Sequence, residues 1–296
     1  MSETQEEAWT VLRLLEWTTD FFKKRGGESA RLDAEVLLAH ARDCSRIELY
    51  TAFAEVPDEE QRVAFRELVR RRGEGMPVAQ LVGYREFYSL KFRVDHNVLI
   101  PRPETEHLVI EALDCAKQMK PGDRPLQIAD IGTGSGVIAV SIAEHLPNAQ
   151  FTAVDQSADA LKIALWNAEK HEVAPRINFL QSDLLAEIET PEKFDIICSN
   201  PPYVSDEEYE NLVPSVRDYE PREALVAGPD GTEIIKRLLG ESYNRIVPGG
   251  RLIIELSPMI ADACAELVEQ ISELEDLRFI KDLAGHKRIL SVARAK

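Results

Sequence analysis

Short apolar runs alternate with helix-forming segments from Leu126 to the end of the chain, and this alternation constrains the fold more than any other feature. The runs are bounded by turn-forming residues, as strands of a sheet that is buried on both faces would be. We expect strands at 126–131, 151–155, 177–180, 194–199 and 251–255, and two more flanking the sequence Ala284-Gly285-His286-Lys287. Between them, helices are expected at 137–146, 158–171, 231–245 and 258–274. The pattern predicts an α/β fold with a doubly wound, mostly parallel seven-stranded sheet.

The region before this pattern predicts two further parts of the chain, a helical domain and a connector. Apolar residues recur at helical spacing from Trp9 to Val69, with breaks at Gly26-Gly27 and Pro57. We therefore predict an N-terminal helical bundle domain over residues 1–75. A structured β-hairpin connector over 76–103, with its turn at 95–97, would lead into the main domain over 104–296.

Composition excludes several classes of protein. The chain has 296 residues and a net charge of −17, so it is a poor non-specific binder of nucleic acid or of anionic membranes. No apolar run reaches transmembrane length, and residues 1–7 are acidic and polar rather than signal-like. The four cysteines form no Cys-x-x-Cys pair, so we expect neither a metal site nor a disulfide framework. A cytoplasmic, monomeric protein that binds neither membrane nor nucleic acid directly is the expectation.

Five arginines make the last helix of the predicted bundle basic: Arg62, Arg66, Arg70, Arg71 and Arg72. One interpretation is a solvated face that is balanced by nearby glutamates. The other is a contact patch for an acidic or RNA-containing partner.

A glycine-rich turn between the first sheet strand and its helix predicts a cofactor site. Glycines let a ligand approach the backbone closely, and the N-terminus of the following helix favours an anion. The predicted cofactor-binding residues of this turn are Asp130, Gly132, Thr133, Gly134, Ser135 and Gly136. Asp155 ends the next strand about 20 residues later, where it is placed to bind ribose hydroxyls. Residues 134–139 also match the dinucleotide pattern G-x-G-x-x-A, so a nicotinamide enzyme fits equally well at this point.

The fourth strand ends in Asn200-Pro201-Pro202-Tyr203, and this segment favours a different chemistry. Proline lacks an N–H group, so the strand stops and the carbonyls of Asn200 and Pro201 are free to accept other hydrogen bonds. An amide oxygen, a carbonyl and an aromatic face form a receptor for a flat –NH2 group. Asp183 follows the third strand, where it could meet an adenine amino group. Together with the acidic Asp130, this set resembles a class I S-adenosylmethionine-dependent methyltransferase that methylates nitrogen.

Characteristic motifs lie along nearly the whole chain, at residues 31–35, 85–88, 99–106, 130–136, 199–203, 220–225 and 228–231. With these motifs the chain resembles the PrmC/HemK family of release factor glutamine methyltransferases. The resemblance implies that S-adenosyl-L-methionine donates a methyl group to the glutamine side-chain amide in the Gly-Gly-Gln motif of class 1 peptide chain release factors. It further implies that the cofactor is bound by Gly132 to Gly136, Asp155, Leu184 and Asn200, and the substrate by Asn200, Pro201, Pro202 and Tyr203.

Two positions depart from the family pattern. Leu184 stands where an aromatic residue often lies against adenine, so stacking there would be weaker. The segment 255–259 lacks the expected Gly and Gln, and we expect it to lie away from the chemistry.

The catalytic hypothesis assigns roles to Asn200, Pro201 and Tyr203. Asn200 Oδ1 and the Pro201 carbonyl would accept the two N–H bonds of the substrate amide, and the Tyr203 ring would pack on its plane. Adenine N6 presents the same two donors, so an adenine methyltransferase is one alternative. Methylation of a ribosomal-protein glutamine and a cofactor-binding regulatory module without catalysis are the others.

Overall fold

The computed structural model describes residues 8–119, 122, 124–189 and 193–296, and the chain divides into two compact units, Met1–Gly83 and Tyr84–Lys296. The prediction that residues 1–7 are not a signal peptide concerns residues outside this description.

The first unit is helical, as predicted. Its helices are α1 (Val11–Lys23), α2 (Ala30–Ala41), α3 (Arg46–Thr51), α4 (Glu59–Gly73) and α5 (Val78–Val82). Side chains cap three of the helix starts: the Thr10 hydroxyl caps α1, and capping boxes built on Ser45 and Asp58 begin α3 and α4. The sequence placed the end of this unit near residue 75, whereas α5 extends it to Gly83.

The arginines of α4 are largely paired with acids of the same unit. Arg62 pairs with Glu59, Arg70 Nη2 lies 2.7 Å from Glu67 Oε1, and Arg72 Nη2 lies 2.8 Å from Asp33 Oδ2. This local pairing favours the interpretation of a solvated, charge-balanced face.

The second unit opens with an antiparallel hairpin of strands β1 (Tyr84–Phe87) and β2 (Leu90–Arg93). Its turn is Tyr88-Ser89, both at positive φ (49° and 62°), so the predicted turn position at 95–97 was wrong. Asn97 N does bond to Asp95 Oδ1, but this turn follows the second strand instead of joining the two.

A seven-stranded sheet forms the centre of the second unit. Its strands are β3 (Gln127–Ile131), β4 (Gln150–Asp155), β5 (Ile177–Gln181), β6 (Phe194–Ser199), β9 (Ile246–Glu255), β10 (Leu274–Lys281) and β11 (Lys287–Arg294). They lie in the order β10-β11-β9-β6-β3-β4-β5. Strands β9, β6, β3, β4 and β5 pair in parallel, while β11 runs antiparallel to its neighbours β9 and β10. The predicted mostly parallel, seven-stranded sheet is therefore confirmed.

Helices cover both faces of this sheet. Successive residues of a strand point to opposite faces, so Ile128 and Ile196 belong to one apolar core, whereas Ala129 and Ile197 belong to the other. The helices are α6 (Glu106–Gln118), α7 (Val137–His145), α8 (Ala158–Lys170), α9 (Asp206–Glu210), α10 (Pro214–Arg217), α11 (Glu233–Ser242) and α12 (Ala261–Glu269). Among the described residues no helix has the length and apolarity needed to span a membrane.

Two short strands, β7 (Val204–Ser205) and β8 (Val226–Gly228), pair in parallel beside the main sheet. They fix the chain that follows residues 200–203. Because β3, β4, β5, β6 and β9 are parallel, the segments that follow them meet at one edge of the sheet, where ligands of open α/β sheets bind.

Candidate active site

The loop after β3 leaves its backbone uncovered. Gly132 and Gly134 have φ of 73° and 54°, a left-handed conformation that favours glycine. A Cβ added at either position would meet no atom within 4 Å, so open space lies over this backbone. The N–H groups of Gly132 and Thr133 donate to the Val154 carbonyl at 2.8 Å, which ties the loop to β4.

Asp130, near the end of β3, accepts hydrogen bonds from this loop and from the helix that follows it. Its Oδ2 accepts hydrogen bonds from Thr133 Oγ1 at 2.7 Å and from Ala139 N at 3.1 Å, while no described residue bonds to its Oδ1. Burial raises the pKa of Asp130 to about 7. The carboxyl group therefore holds the loop and the start of α7 together.

Asp155, at the end of β4, faces the same loop. Its Oδ2 accepts a hydrogen bond from Gly134 N at 2.8 Å, and its Oδ1 accepts one from Ser157 N at 2.9 Å. Burial raises its pKa. An ionised carboxylate has about four acceptor positions, so acceptor capacity remains for a ligand hydroxyl.

A cavity of about 880 Å³ opens at this edge of the sheet. Its volume lies within the range of small-molecule sites, about 300–1,000 Å³. Nine of the residues predicted from the sequence line it: Gly132, Thr133, Gly134, Ser135, Asp155, Asp183, Leu184, Asn200 and Pro202. Four other predicted residues lie outside its described lining: Asp130, Gly136, Pro201 and Tyr203.

Asp183 and Leu184 form one wall of the cavity. Asp183 Oδ2 lies 2.9 Å from Arg237 Nη2, so this carboxylate already has a cationic partner. Leu184 has a φ of 50°, which is unusual for a residue with a branched side chain. The turn thus brings both residues to the lining, where the sequence had placed them.

Asn200 follows β6, between β3 and β9. Its Nδ2 donates to Thr105 Oγ1 at 3.2 Å, and no described residue is seen to donate to its Oδ1. In the preceding residue, Ser199, the Oγ donates a hydrogen bond to the Ile131 carbonyl at 2.7 Å and so connects the end of β6 to β3. The Asn200 carboxamide is therefore held by its nitrogen, and its oxygen is left for a ligand.

The Tyr203 side chain contacts Glu255, the last residue of β9. The Tyr203 hydroxyl lies 3.5 Å from Glu255 Oε1, and burial raises the pKa of Tyr203. Burial also raises the pKa of Glu255 to about 7. The expectation that the segment 255–259 lies away from the chemistry is wrong for its first residue, because Glu255 directly contacts the predicted catalytic segment.

Comparison with known proteins identifies the family. Residues 13–83 match the family model "PrmC N-terminal domain", and residues 108–216 match "Methyltransferase small domain". A release factor glutamine methyltransferase from Rhodopirellula baltica is 63% identical over the full length of both chains. Another from Chlorobaculum tepidum is 39% identical over 97% of this chain and 98% of its own. The chain belongs to the release factor glutamine methyltransferase family.

A solved structure shares the fold of this chain. The catalytic domain of hMettl16, solved in complex with MAT2A 3'UTR hairpin 6, has a TM-score of 0.56. That structure is 17% identical and covers 77% of this chain and 82% of its own. At this identity the similarity concerns the fold alone.

S-adenosylmethionine is the methyl donor of this family of methyltransferases, and the residues of the cavity fit it. The glycine loop leaves open space over its backbone, and Asp155 offers acceptors for a pair of ribose hydroxyls. The side wall at Leu184 is aliphatic, so the adenine would be packed but not stacked on an aromatic ring.

Two residues of the site were not identified from the sequence as site residues. Thr105 was seen only as part of the matching motif 99–106, and Glu255 only as part of a departure from the family pattern. The signal in the sequence was a charged residue, Glu255, directly after the apolar run 252–254 of a buried strand.

Proposed function

We propose that this protein transfers a methyl group to the side-chain amide nitrogen, N5, of the glutamine in the Gly-Gly-Gln motif of class 1 peptide chain release factors. The Asn200 carboxamide carries this proposal, because it lines the cavity with its nitrogen bound by Thr105 and its oxygen free of described donors. The names of the relatives, release factor glutamine methyltransferase, support the choice of protein substrate.

The donor supplies a methyl group that is already activated by the positive sulfonium. Gly132 to Ser135 and Asp155 would hold it, since they line the cavity beside the open backbone of the loop. These residues bind and orient the donor and take no proton in the reaction.

The acceptor nitrogen is a weak nucleophile because its lone pair is delocalised into the amide carbonyl. Asn200 Oδ1 and the Pro201 carbonyl would accept its two N–H bonds and so orient the nitrogen. Positive charge develops on this nitrogen as the new N–C bond forms and the C–S bond breaks. The same two oxygens stabilise that charge, and the surplus proton leaves to solvent. The Tyr203 ring would pack against the amide plane.

The proposal includes a monomeric enzyme that acts in the cytoplasm without binding nucleic acid directly. The net charge of −17 supports only the last of these points, because such a chain repels the phosphate backbone of nucleic acids. A protein substrate that presents glutamine on an exposed loop does not require a basic groove.

The test is transfer of tritiated methyl from S-adenosylmethionine by the full-length protein. The acceptors are a class 1 release factor, its variant with the motif glutamine replaced by alanine, a ribosomal-protein fraction, and DNA. We expect label on the wild-type release factor alone, and mass spectrometry should place one methyl group on the motif glutamine. Label on DNA or on the ribosomal proteins, with none on the release factor, would overturn the proposal.

A further inference from the structure

Asn167 lies on α8 and is completely buried, with 0% of the residue exposed. A buried carboxamide reduces stability unless its polar groups find partners. Here Nδ2 donates to the carbonyl oxygens of Arg93, at 3.1 Å, and of Ser135, at 2.8 Å. Oδ1 accepts a hydrogen bond from Arg93 N at 2.8 Å. One side chain thus holds two backbone segments by three hydrogen bonds.

The first of these segments is the end of β2. Arg93 is the last residue of this strand, and Asn167 bonds to both its N–H and its carbonyl, as a neighbouring strand would. His171, directly after α8, has its Nε2 3.0 Å from the carbonyl oxygen of Lys91. Lys91 and Arg93 are two residues apart, so the same edge of β2 is attached to α8 at two points.

The second segment is the end of the glycine loop. The peptide group that joins Ser135 to Gly136 is bonded on both sides, because its carbonyl accepts from Asn167 and its N–H donates to the Thr133 carbonyl at 2.8 Å. Gly136 has a φ of 82°, and an added Cβ would lie 3.2 Å from Ala164. Ala164 and Asn167 are three residues apart on α8, so one face of this helix packs on the loop and holds it.

Both segments continue into the lining of the cavity. Residues 132–135 of the glycine loop line it, and so do six residues of the segment 96–102, which begins three residues after Arg93. Asn167 is not part of the described lining. It therefore connects, from within the core, the backbone at the end of one lining segment with the backbone just before the other.

We propose that Asn167 is a positioning residue of the methyl-donor site. By bonding to Ser135 and Arg93 it fixes the glycine loop relative to the segment 96–102, and so sets the width of the cavity between them. A binding site keeps its affinity only when such supporting contacts hold its walls in place. The inference rests on the proposed binding of the donor beside the glycine loop, and it does not depend on the identity of the acceptor.

The first experiment measures the Kd of S-adenosylmethionine by isothermal titration calorimetry in the full-length Asn167→Asp and Asn167→Ala variants. A carboxylate has nearly the size of the carboxamide, but it only accepts hydrogen bonds, so it loses the bonds to both carbonyls. Alanine loses all three bonds. We expect the Kd to rise about tenfold in each variant, which corresponds to the loss of about one net hydrogen bond. Either variant that folds gives the test.

Ser291→Ala is the control for a merely structural role. Ser291 is also 0% exposed and its hydroxyl makes two buried hydrogen bonds, with Glu111 Oε1 at 2.7 Å and Arg251 Nε at 3.0 Å. None of these three residues lines the donor cavity in the part of the chain that the structure describes. Urea unfolding should show a loss of stability in this variant similar to that in Asn167→Ala, whereas its Kd should stay within about twofold of the wild type.

The second experiment uses the protein without donor. Hydrogen–deuterium exchange read by mass spectrometry should be about tenfold faster over residues 132–136 and 93–98 in the Asn167 variants than in the wild type, because these segments lose their common attachment. Exchange over β10 and β11 should be unchanged. In Ser291→Ala we expect the opposite distribution.

Two results would overturn the inference: an unchanged Kd in the Asn167 variants, or a Kd that rises equally in Ser291→Ala. Asp155→Asn, measured in parallel, locates the fault. If it weakens donor binding while the Asn167 variants do not, the donor site stands and only the role of Asn167 falls. If the wild type binds the donor but does not methylate the release factor, the proposed function falls, while the Kd values still decide the role of Asn167.

Discussion

Glu220 and Arg102, which are 118 residues apart in the chain, form a hydrogen-bonded ion pair. Its Oε1 accepts a hydrogen bond from Arg102 Nη2 at 2.6 Å, and its Oε2 accepts one from Ile100 N at 2.9 Å. The Glu220 side chain is 1% exposed, whereas that of Arg102 is 30% exposed. One carboxylate thus fixes both the backbone and a side chain of the segment that leads to Thr105, and Arg102 also lines the cavity.

Replacement of Glu220 by alanine should destabilise the protein by about 2–3 kcal/mol, because a buried N–H group and a partly buried guanidinium lose their acceptor. Urea unfolding followed by circular dichroism measures the change. Asp206→Ala is the control, since it breaks an exposed ion pair with Arg222 and should cost less than about 1 kcal/mol. Equal effects of the two substitutions would contradict the prediction.

Gly231 supports the catalytic segment by close approach. It has a φ of 74°, and an added Cβ would lie 2.7 Å from the Tyr203 carbonyl oxygen, closer than atoms tolerate. Gly231→Ala should therefore displace residues 200–203 and lower the methyl-transfer rate constant by about 10- to 100-fold. Gly240→Ala is the control and should leave the rate unchanged, because Gly240 lies within α11 and an added Cβ there would meet no atom within 4 Å. A Gly231→Ala variant that retains the full rate would show that this contact is not needed.

Asp155→Asn should weaken the binding of S-adenosylmethionine by at least about tenfold, because hydrogen bonds to a charged acceptor contribute about 1.5–3 kcal/mol. Isothermal titration calorimetry measures the Kd. Asp159→Asn is the matched control, since this exposed residue of α8 pairs only with Lys162 in the described contacts. An unchanged Kd in Asp155→Asn would remove this residue from the cofactor site.

Asn200→Ala should reduce single-turnover methyl transfer by at least about 100-fold, the effect of removing one group that stabilises charge in the transition state. The Kd of S-adenosylmethionine should change little. Tyr203→Phe should be milder, since we assign its ring rather than its hydroxyl to substrate packing. A large loss in Tyr203→Phe would instead implicate the hydroxyl, which lies 3.5 Å from Glu255 Oε1.

Stability should fall as the pH rises toward neutrality. Burial raises the pKa of Asp130 to about 7 from 3.8 and that of Glu255 to about 7 from 4.5. Between the ordinary pKa of each group, 3.8 or 4.5, and its folded-state pKa of about 7, the folded protein binds more protons than the unfolded chain. The free energy of unfolding therefore decreases as the pH rises, by up to about 1.4 kcal/mol per pH unit for each group. Urea unfolding from pH 4.5 to 7.5 measures this slope.

Asp130→Asn and Glu255→Gln should each flatten that pH dependence, because each removes one of the two titrating groups. The exposed Glu48, whose pKa is lowered by hydrogen bonds from Ser45, provides the control. Glu48→Gln should leave the decline in place. A slope that is the same in all three variants would show that neither buried acid is responsible.

Local patterns were sufficient to predict the sheet and many of the residues that line the cavity. The apolar runs of β3, β4 and β6 are buried on both faces, so their sequence differs clearly from that of the connecting segments. The residue type of Gly132 and Gly134 indicates their positive φ, and Asp155 follows these glycines by about 20 residues. Features of this kind depend on neighbours in the chain, and the sequence displays them directly.

Contacts between distant segments could not be predicted in this way. Thr105 and Asn200 are 95 residues apart, and their bond depends on how the helix after Thr105 packs beside the sheet. The hairpin turn was missed for a different reason: Tyr88 and Ser89 adopt positive φ without a glycine, while the turn-forming Asp95 and Asn97 follow the second strand. In both cases tertiary packing, rather than residue preference, decides the outcome.

The position of β6 within the sheet separates two sets of residues. On its β3 side lie the glycine loop and Asp155, and on its β9 side lies Glu255. Substitutions on the β9 side could therefore change recognition of the acceptor while the residues that we propose to hold the methyl donor stay unchanged. Strand β6 would then separate the part of the protein in which acceptor specificity can change from the part that stays the same.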